Sequence, residues 1–231
     1  MTCPSLNCAI SNKPIEQLQS EFFASRKDLP NSAVYKILLT KEELAFGTQQ
    51  LADQLNKEYD GQEVCIIALL NGACWFLTDL SRLLNFPVTF HFVRASSYGK
   101  KRASSGSVSL DLTHLYHSDF EGKRVLIVDE LFDSGRTITV TKQSLASSFS
   151  LPIDDIKSCT LMSTCKPTSE PPADYCFYQR FTDLWILGYG LDDQNLYRNY
   201  PHVLCYFPPT KDQDDLHQRY LDSRKRIHDA F

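Results

Sequence analysis

"RVLIVDELFDSGRT", residues 124–137, sets a short apolar run against two adjacent acids and closes on a hydroxyl- and glycine-containing turn. The apolar run at 125–128 reads as a strand buried on both faces, and the turn as the entry to a helix near 136–147. A turn leading into a helix aims several free backbone N–H groups at one place, and the helix dipole favours an anion there. Ser134 and Thr137 add hydroxyl donors, Gly135 lets backbone approach closely, and Arg136 adds positive charge. Asp129 and Glu130 cannot serve that anion, because like charges repel. Sugar hydroxyls and a hard, oxygen-seeking cation such as Mg2+ are their natural partners. A phosphorylated sugar satisfies both halves of the motif. The plain alternative is an acidic strand end followed by an ordinary helix cap. A Walker A loop would need glycine where Glu130 stands, and a dinucleotide fingerprint needs three spaced glycines where one is present.

Outward from this segment, strands and helices alternate. "LTKEELAFGTQQLADQLNKEYDG" (39–61) reads as a helix with a Thr40/Glu43 capping box, stopped by Gly61. "EVCIIALL" (63–70) is a second doubly covered strand, 73–84 has helical spacing, and 88–93 reads as a strand. The Ser-, Gly-, Lys- and Arg-rich stretch 94–110 reads as a long mobile loop. Strands are expected at 157–162 and near 175–178, 184–188 and 203–207. The start of the chain is polar and reads as loose; the tail places Leu216, Tyr220, Ile227 and Phe231 on one helical face. The pattern predicts a mostly parallel sheet with its site at the carboxyl ends of the strands. No repeat or Gly/Pro-rich linker divides the 231 residues, so one domain is expected.

Composition narrows the function classes. With 42% hydrophobic and 23% charged residues, the chain has material for a packed core. A net charge of −4 and the lack of a basic arm argue against a nucleic-acid partner. No apolar run approaches a membrane span, and no signal-peptide pattern opens the sequence, so a cytoplasmic location is expected. The eight cysteines are irregularly spaced without a C-x-x-C pair; those in apolar runs read as buried, reduced thiols.

The segment 124–137 resembles the phosphoribosyl pyrophosphate (PRPP) signature of the type I phosphoribosyltransferases. "ALLNGACWFLTDLSR" (68–82), "FVRASSYG" (92–99), "CKPT" (165–168) and "LWILGYGLDDQNLYRN" (184–199) are similar, in the family's order, to the pyrophosphate loop, flexible loop, purine-binding lysine and purine-clamp segments of the hypoxanthine-guanine branch. Among relatives the likeness is greatest to guanine phosphoribosyltransferases of parasitic protists. The resemblance implies a twisted, mostly parallel sheet flanked by helices. A small hood is to be formed by the N-terminal part and about 166–210, and a helical tail by about 211–231.

It also implies a reaction: guanine and PRPP give GMP and pyrophosphate with Mg2+. By resemblance, Asp133 is the catalytic base near N7 of the purine. Asp133, Ser134, Gly135, Arg136 and Thr137 bind the 5′-phosphate, and Asp129 and Glu130 the ribose. Lys166, Trp185, Ile186 and Asp192 bind the purine, the carbonyls of Ile186 and Asp192 serving the 2-amino group of guanine. Leu70, Asn71, Gly72 and Arg198 bind pyrophosphate, with a cis Leu70–Asn71 peptide. Ser97 and Tyr98 belong to the closing loop, and Asp129, Glu130 and Asp192 are the metal residues. A homodimer is expected. Two departures stand out: the acids run Asp-Glu where relatives have Glu-Asp, and Asn71 replaces the Lys or Arg of many relatives. The alternative class is a PRPP-sensing regulator of the same fold that lacks catalysis.

Overall fold

The structure is a computed structural model that describes residues 13–29, 34–97, 108–166, 168, 170–209 and 212–231. In chain order the elements are α1 (Ile15–Ser25), β1 (Tyr35–Leu39), α2 (Lys41–Glu58), β2 (Val64–Leu70), α3 (Cys74–Ser81), β3 (Val88–Ser97), β4 (Val108–Leu110), β5 (Arg124–Phe132), α4 (Arg136–Phe149), β6 (Ile156–Thr164), β7 (Tyr175–Thr182), β8 (Ile186–Leu187), β9 (Val203–Tyr206) and α5 (Gln213–His228).

Six strands form one sheet in the order β4-β3-β2-β5-β6-β7, parallel except for the β3–β4 pair. The apolar runs are continuous because both faces are covered. Ile66, Ala68, Leu126 and Val128 join the core beneath α2 and α3, whereas Cys65, Ile67, Val125 and Ile127 join a second core that includes Ile138 and Leu145 of α4. The order reverses direction between β2 and β5: β2 leads outward to β3, and β5 outward to β6. A crevice therefore opens at the carboxyl ends of these two strands, where Leu70 and Phe132 terminate them.

A separate antiparallel sheet, β1-β9-β8, packs its own core of Tyr35, Ile37, Leu187, Tyr200 and Leu204 against Phe22 of α1. The Thr40/Glu43 capping box is present: Thr40 N–H donates to Glu43 Oε2 at 2.8 Å, and Glu43 N–H to Thr40 Oγ1 at 3.2 Å. Glu43 does more than cap. Its carboxylate is buried and takes both guanidinium arms of Arg224 on α5 at 2.8 Å.

Three expectations need correction. Residues 15–25 are helical rather than loose; Pro14 begins the turn, and the chain packs Phe22 on the small sheet, a gain invisible in its polar composition. Residues 94–97 and 108–110 are paired strand rather than loop, with Ala95, Ser96 and Ser97 opposite Leu110, Ser109 and Val108. A backbone ladder at a sheet edge requires no apolar side chains, so Ser-rich sequence could form it. The strand expected at 184–188 shrinks to Ile186–Leu187.

The tail packs as its pattern suggested: Tyr220 and Ile227 are buried, and α5 lies against β7 and β1. Phe231 remains partly exposed but meets the Phe46 ring at 4.6 Å. Among the described cysteines, Cys65, Cys159 and Cys205 are buried and free, and burial pushes the Cys65 thiol up to about 11. No helix among the described residues is long and apolar enough to cross a membrane.

Removing one partner of a buried ion pair strands the other in low dielectric. Arg224→Ala is expected to lower the unfolding free energy by about 3–5 kcal/mol, read from the midpoint and slope of urea denaturation.

Candidate active site at the carboxyl ends of β2 and β5

Glycines bring the crevice walls into contact. Gly72, just past β2, lies so close to Glu130 that any added methyl group would run into the carboxylate. Gly190, at φ +98°, lies equally close to the Gly72 carbonyl. The 70–72 loop, the acid pair and the 188–192 segment thus form one wall. The Leu70–Asn71 peptide is cis.

Asp129 and Glu130 lie near the carboxyl end of β5, just ahead of Leu131 and Phe132. Glu130 N–H donates to Asp129 Oδ1 at 3.1 Å, while buried Glu130 Oε2 has no hydrogen-bond partner. Burial, and then the neighbouring Glu130 charge, hold the Asp129 carboxyl well above the usual carboxylate range. Burial likewise raises Glu130, against the pull of nearby Arg198. An orphaned buried carboxylate oxygen beside a second carboxylate suits a hard cation or sugar hydroxyls. Among the described residues no group of three or more His, Cys, Asp or Glu is placed to hold an ion unaided. A divalent ion held here would therefore need oxygens from its ligand, the usual manner of Mg2+.

Beyond the acids, Gly135 at φ +78° starts α4 with no side-chain cap and no acid in its first turn. That contrasts with the fully capped α2 and leaves amides of residues 135–138 facing outward. Gly135 also sits against the Phe132 ring and Glu170 Cβ, so a side chain there would clash as well as strain the backbone. Ser134 and Arg136 are exposed and Thr137 partly so, as an anion cradle requires.

Asp133 stands between acids and cradle. Lys166 Nζ lies 2.8 Å from its Oδ2 and 2.7 Å from Oδ1, and the Thr164 hydroxyl reaches Oδ1 at 3.0 Å. Trp185 is partly exposed, its carbonyl accepting from Tyr206 N–H at 2.9 Å, and Ile186 is buried beside it in β8. Asp192 accepts from Asn195 N–H at 2.7 Å and pairs with Arg198 at 2.5 Å. Arg198 also donates to the Gly190 carbonyl, which places its fork beside the 70–72 loop. Ser97 ends β3, and Tyr98 lies outside the described residues.

The sequence did not single out Thr164, Gly190, Thr168 or Glu170. Thr168 donates its hydroxyl to the Ser134 carbonyl at 2.5 Å, and Glu170 N–H donates to Thr168 Oγ1 at 3.0 Å, so this segment braces the turn that leads into α4. The hydroxyl-rich end of β6, "STCKPT", was the available signal.

Residues 34–194 match the family model of the phosphoribosyl transferase domain, and the chain belongs to that family. It is 32% identical over 180 residues to the hypoxanthine-guanine phosphoribosyltransferase of Mycobacterium tuberculosis (strain ATCC 25618 / H37Rv), covering 74% of this chain and 85% of the relative. It is also 32% identical over 178 residues to the bifunctional protein TilS/HprT of Listeria innocua, where the match covers 74% of this chain but only 26% of that protein. A solved hypoxanthine phosphoribosyltransferase of Staphylococcus aureus superposes with TM-score 0.66 at 26% identity, covering 79% of this chain and 98% of the other. One from Trypanosoma cruzi, in a ternary substrates complex, superposes at 0.62 with 27% identity, covering 74% and 95%. These relatives fall in the 6-oxopurine branch of the type I fold that the motifs indicated.

Because both acids titrate above their unfolded values, the folded chain retains protons that the unfolded chain releases. Their contribution to stability is thus present below about pH 4 and is lost as pH rises through the folded values. Thermal melts of the unliganded protein are expected to show Glu130→Gln gaining on wild type as pH rises toward 8 and converging with it near pH 4.

Proposed function

We propose that the chain is a purine-salvage enzyme that transfers the 5-phosphoribosyl group from PRPP to N9 of guanine, releasing GMP and pyrophosphate. The observation that carries this reading is Asp133, gripped by Thr164 and Lys166 at the point where acids and anion cradle meet. Opened by a ligand, this pair offers an acceptor for a ring N–H and a donor for an exocyclic oxygen, the two groups that a 6-oxopurine carries side by side.

In this reading residues 133–137, with the outward amides at the start of α4, hold the 5′-phosphate, and Asp129 and Glu130 hold the ribose hydroxyls. The purine ring stacks on Trp185, with O6 toward Lys166 and N7 toward Asp133. Asp133 takes the N7 proton, or stabilises it, as N9 approaches the sugar. Asn71, Gly72 and Arg198 receive the departing pyrophosphate; Arg198, now paired with Asp192 and the Gly190 carbonyl, exchanges those oxygens for phosphate oxygens. Asp129 and Glu130, with Asp192 nearby, are the residues to hold magnesium, which when bound neutralises charge on the leaving pyrophosphate. The segment bearing Ser97 and Tyr98 covers the reacting sugar and excludes water. Asn71 supplies no charge where many relatives carry a cation, so pyrophosphate relies more heavily on Arg198. The partner expected is a second copy of the chain, and the setting the cytoplasm.

The backbone carbonyls of Ile186 and Asp192 are the acceptors for a 2-amino group. Guanine uses them, whereas hypoxanthine leaves them short, a difference of about 1 kcal/mol per lost bond. A competition assay offering guanine, hypoxanthine and xanthine is expected to favour guanine several-fold; equal efficiency on hypoxanthine would contradict the preference. Asp133→Asn is expected to lower kcat by about 10²–10⁴-fold, measured as pyrophosphate release; unchanged turnover with all three bases would remove Asp133 from the mechanism.

A further inference from the structure

The purine-facing residues are not held by the large sheet alone. Lys166 follows Cys165, whose N–H donates to the Thr182 carbonyl at 2.8 Å and whose thiol donates to the Arg180 carbonyl at 2.7 Å. Arg180 itself is left-handed, at φ +47°, and its N–H donates to Ser163 Oγ at 2.7 Å. This irregularity in the β6–β7 ladder turns the end of β6 so that Thr164 and Lys166 both meet Asp133. Trp185 follows the same segment from the other side, after Leu184 N–H has donated to Thr182 Oγ1 at 3.1 Å. Residues 180–184 are therefore the common mount for Lys166 and Trp185, two of the groups assigned to the purine.

That mount is clamped from outside by α5. Ser223, fully buried, is hydrogen-bonded to Thr182 Oγ1 at 3.0 Å and to the Arg219 carbonyl at 2.7 Å. The Arg219 guanidinium takes the Asp183 carboxylate at 3.0–3.1 Å and the Asp183 carbonyl at 3.4 Å. Arg226 reaches the Cys165 sulfur at 3.5 Å. Three successive turns of one helix thus contact the two chain segments that present Lys166 and Trp185. None of the contacts described for α5 touches the acid pair, the phosphate turn or the 70–72 loop.

We propose that Arg219 and Ser223 are positioning residues for base recognition, making the C-terminal helix a determinant of purine affinity that leaves the PRPP half of the site alone. The inference rests on the proposed function. A partly exposed ion pair contributes little by itself, whereas the buried hydroxyl contact contributes more, so the two are tested separately and together. Arg219→Gln, Ser223→Ala and the double variant are made in a Trp75→Phe background, leaving Trp185 as the only tryptophan. The full-length variants are assayed for KM of guanine, KM of PRPP and kcat, and Trp185 fluorescence is titrated with GMP.

The expected result is a guanine KM raised about three- to tenfold in the double variant, with PRPP KM within about twofold of the parent and GMP quenching weakened in parallel with guanine. A uniform loss in both substrates, or an unchanged guanine KM, overturns the positioning role. If the parent protein transfers phosphoribosyl to no 6-oxopurine, the proposed function fails and this inference with it. If the parent is active and only the variants behave as wild type, this inference alone fails.

Discussion

Two adjacent carboxylates at the buried end of a strand cannot both carry full charge without compensation. Asp129 and Glu130 face that constraint, and the rest of the site is arranged around it. Glu130 is pressed against a backbone loop at Gly72, where water has little access, and one of its oxygens finds no partner within the protein. Both carboxyls are consequently held above their ordinary pKa. The pair is thus an unfavourable arrangement that a hard cation or hydroxyl donors would relieve.

Complementary charge lies on either side of this pair. Beyond it, the uncapped start of α4 supplies positive potential, with the exposed Arg136 at its first helical position. Across from it, Arg198 pairs with Asp192 and donates to the Gly190 carbonyl. Lys166 is parked on Asp133 in the same manner. Lys166 and Arg198 thus each rest on an internal anion, which avoids unpaired charge at these positions. The topology is what makes this possible: only where the strand order reverses do the ends of β2 and β5 stand side by side.

Much of the large sheet was legible because its strands are apolar on both faces and its helices carry explicit signals. The Thr40/Glu43 box and the run at 64–70 are local facts, and local hydrogen bonding and burial decide them. The small sheet was harder to read. Its strands β1, β8 and β9 come from distant parts of the chain, and β8 has only two residues. Likewise α1 owes its packing to residues far along the chain, and β4 is only three residues long, held by its pairing with β3 and by Leu110 on the second core.

The sequence by itself determined which groups stand together at the centre: adjacent acids, an Asp, and a glycine-led turn into a helix, all within nine residues, 129–137. Segments that short bring their groups together through local geometry. Tertiary structure alone decided which distant residues complete them: Thr164 and Lys166 on Asp133, Gly190 on Gly72, and α5 behind residues 180–184. Those contacts join residues 30 to 120 positions apart, where no spacing pattern survives, and they depend on sheet order, a ladder irregularity and the close approach that glycine permits.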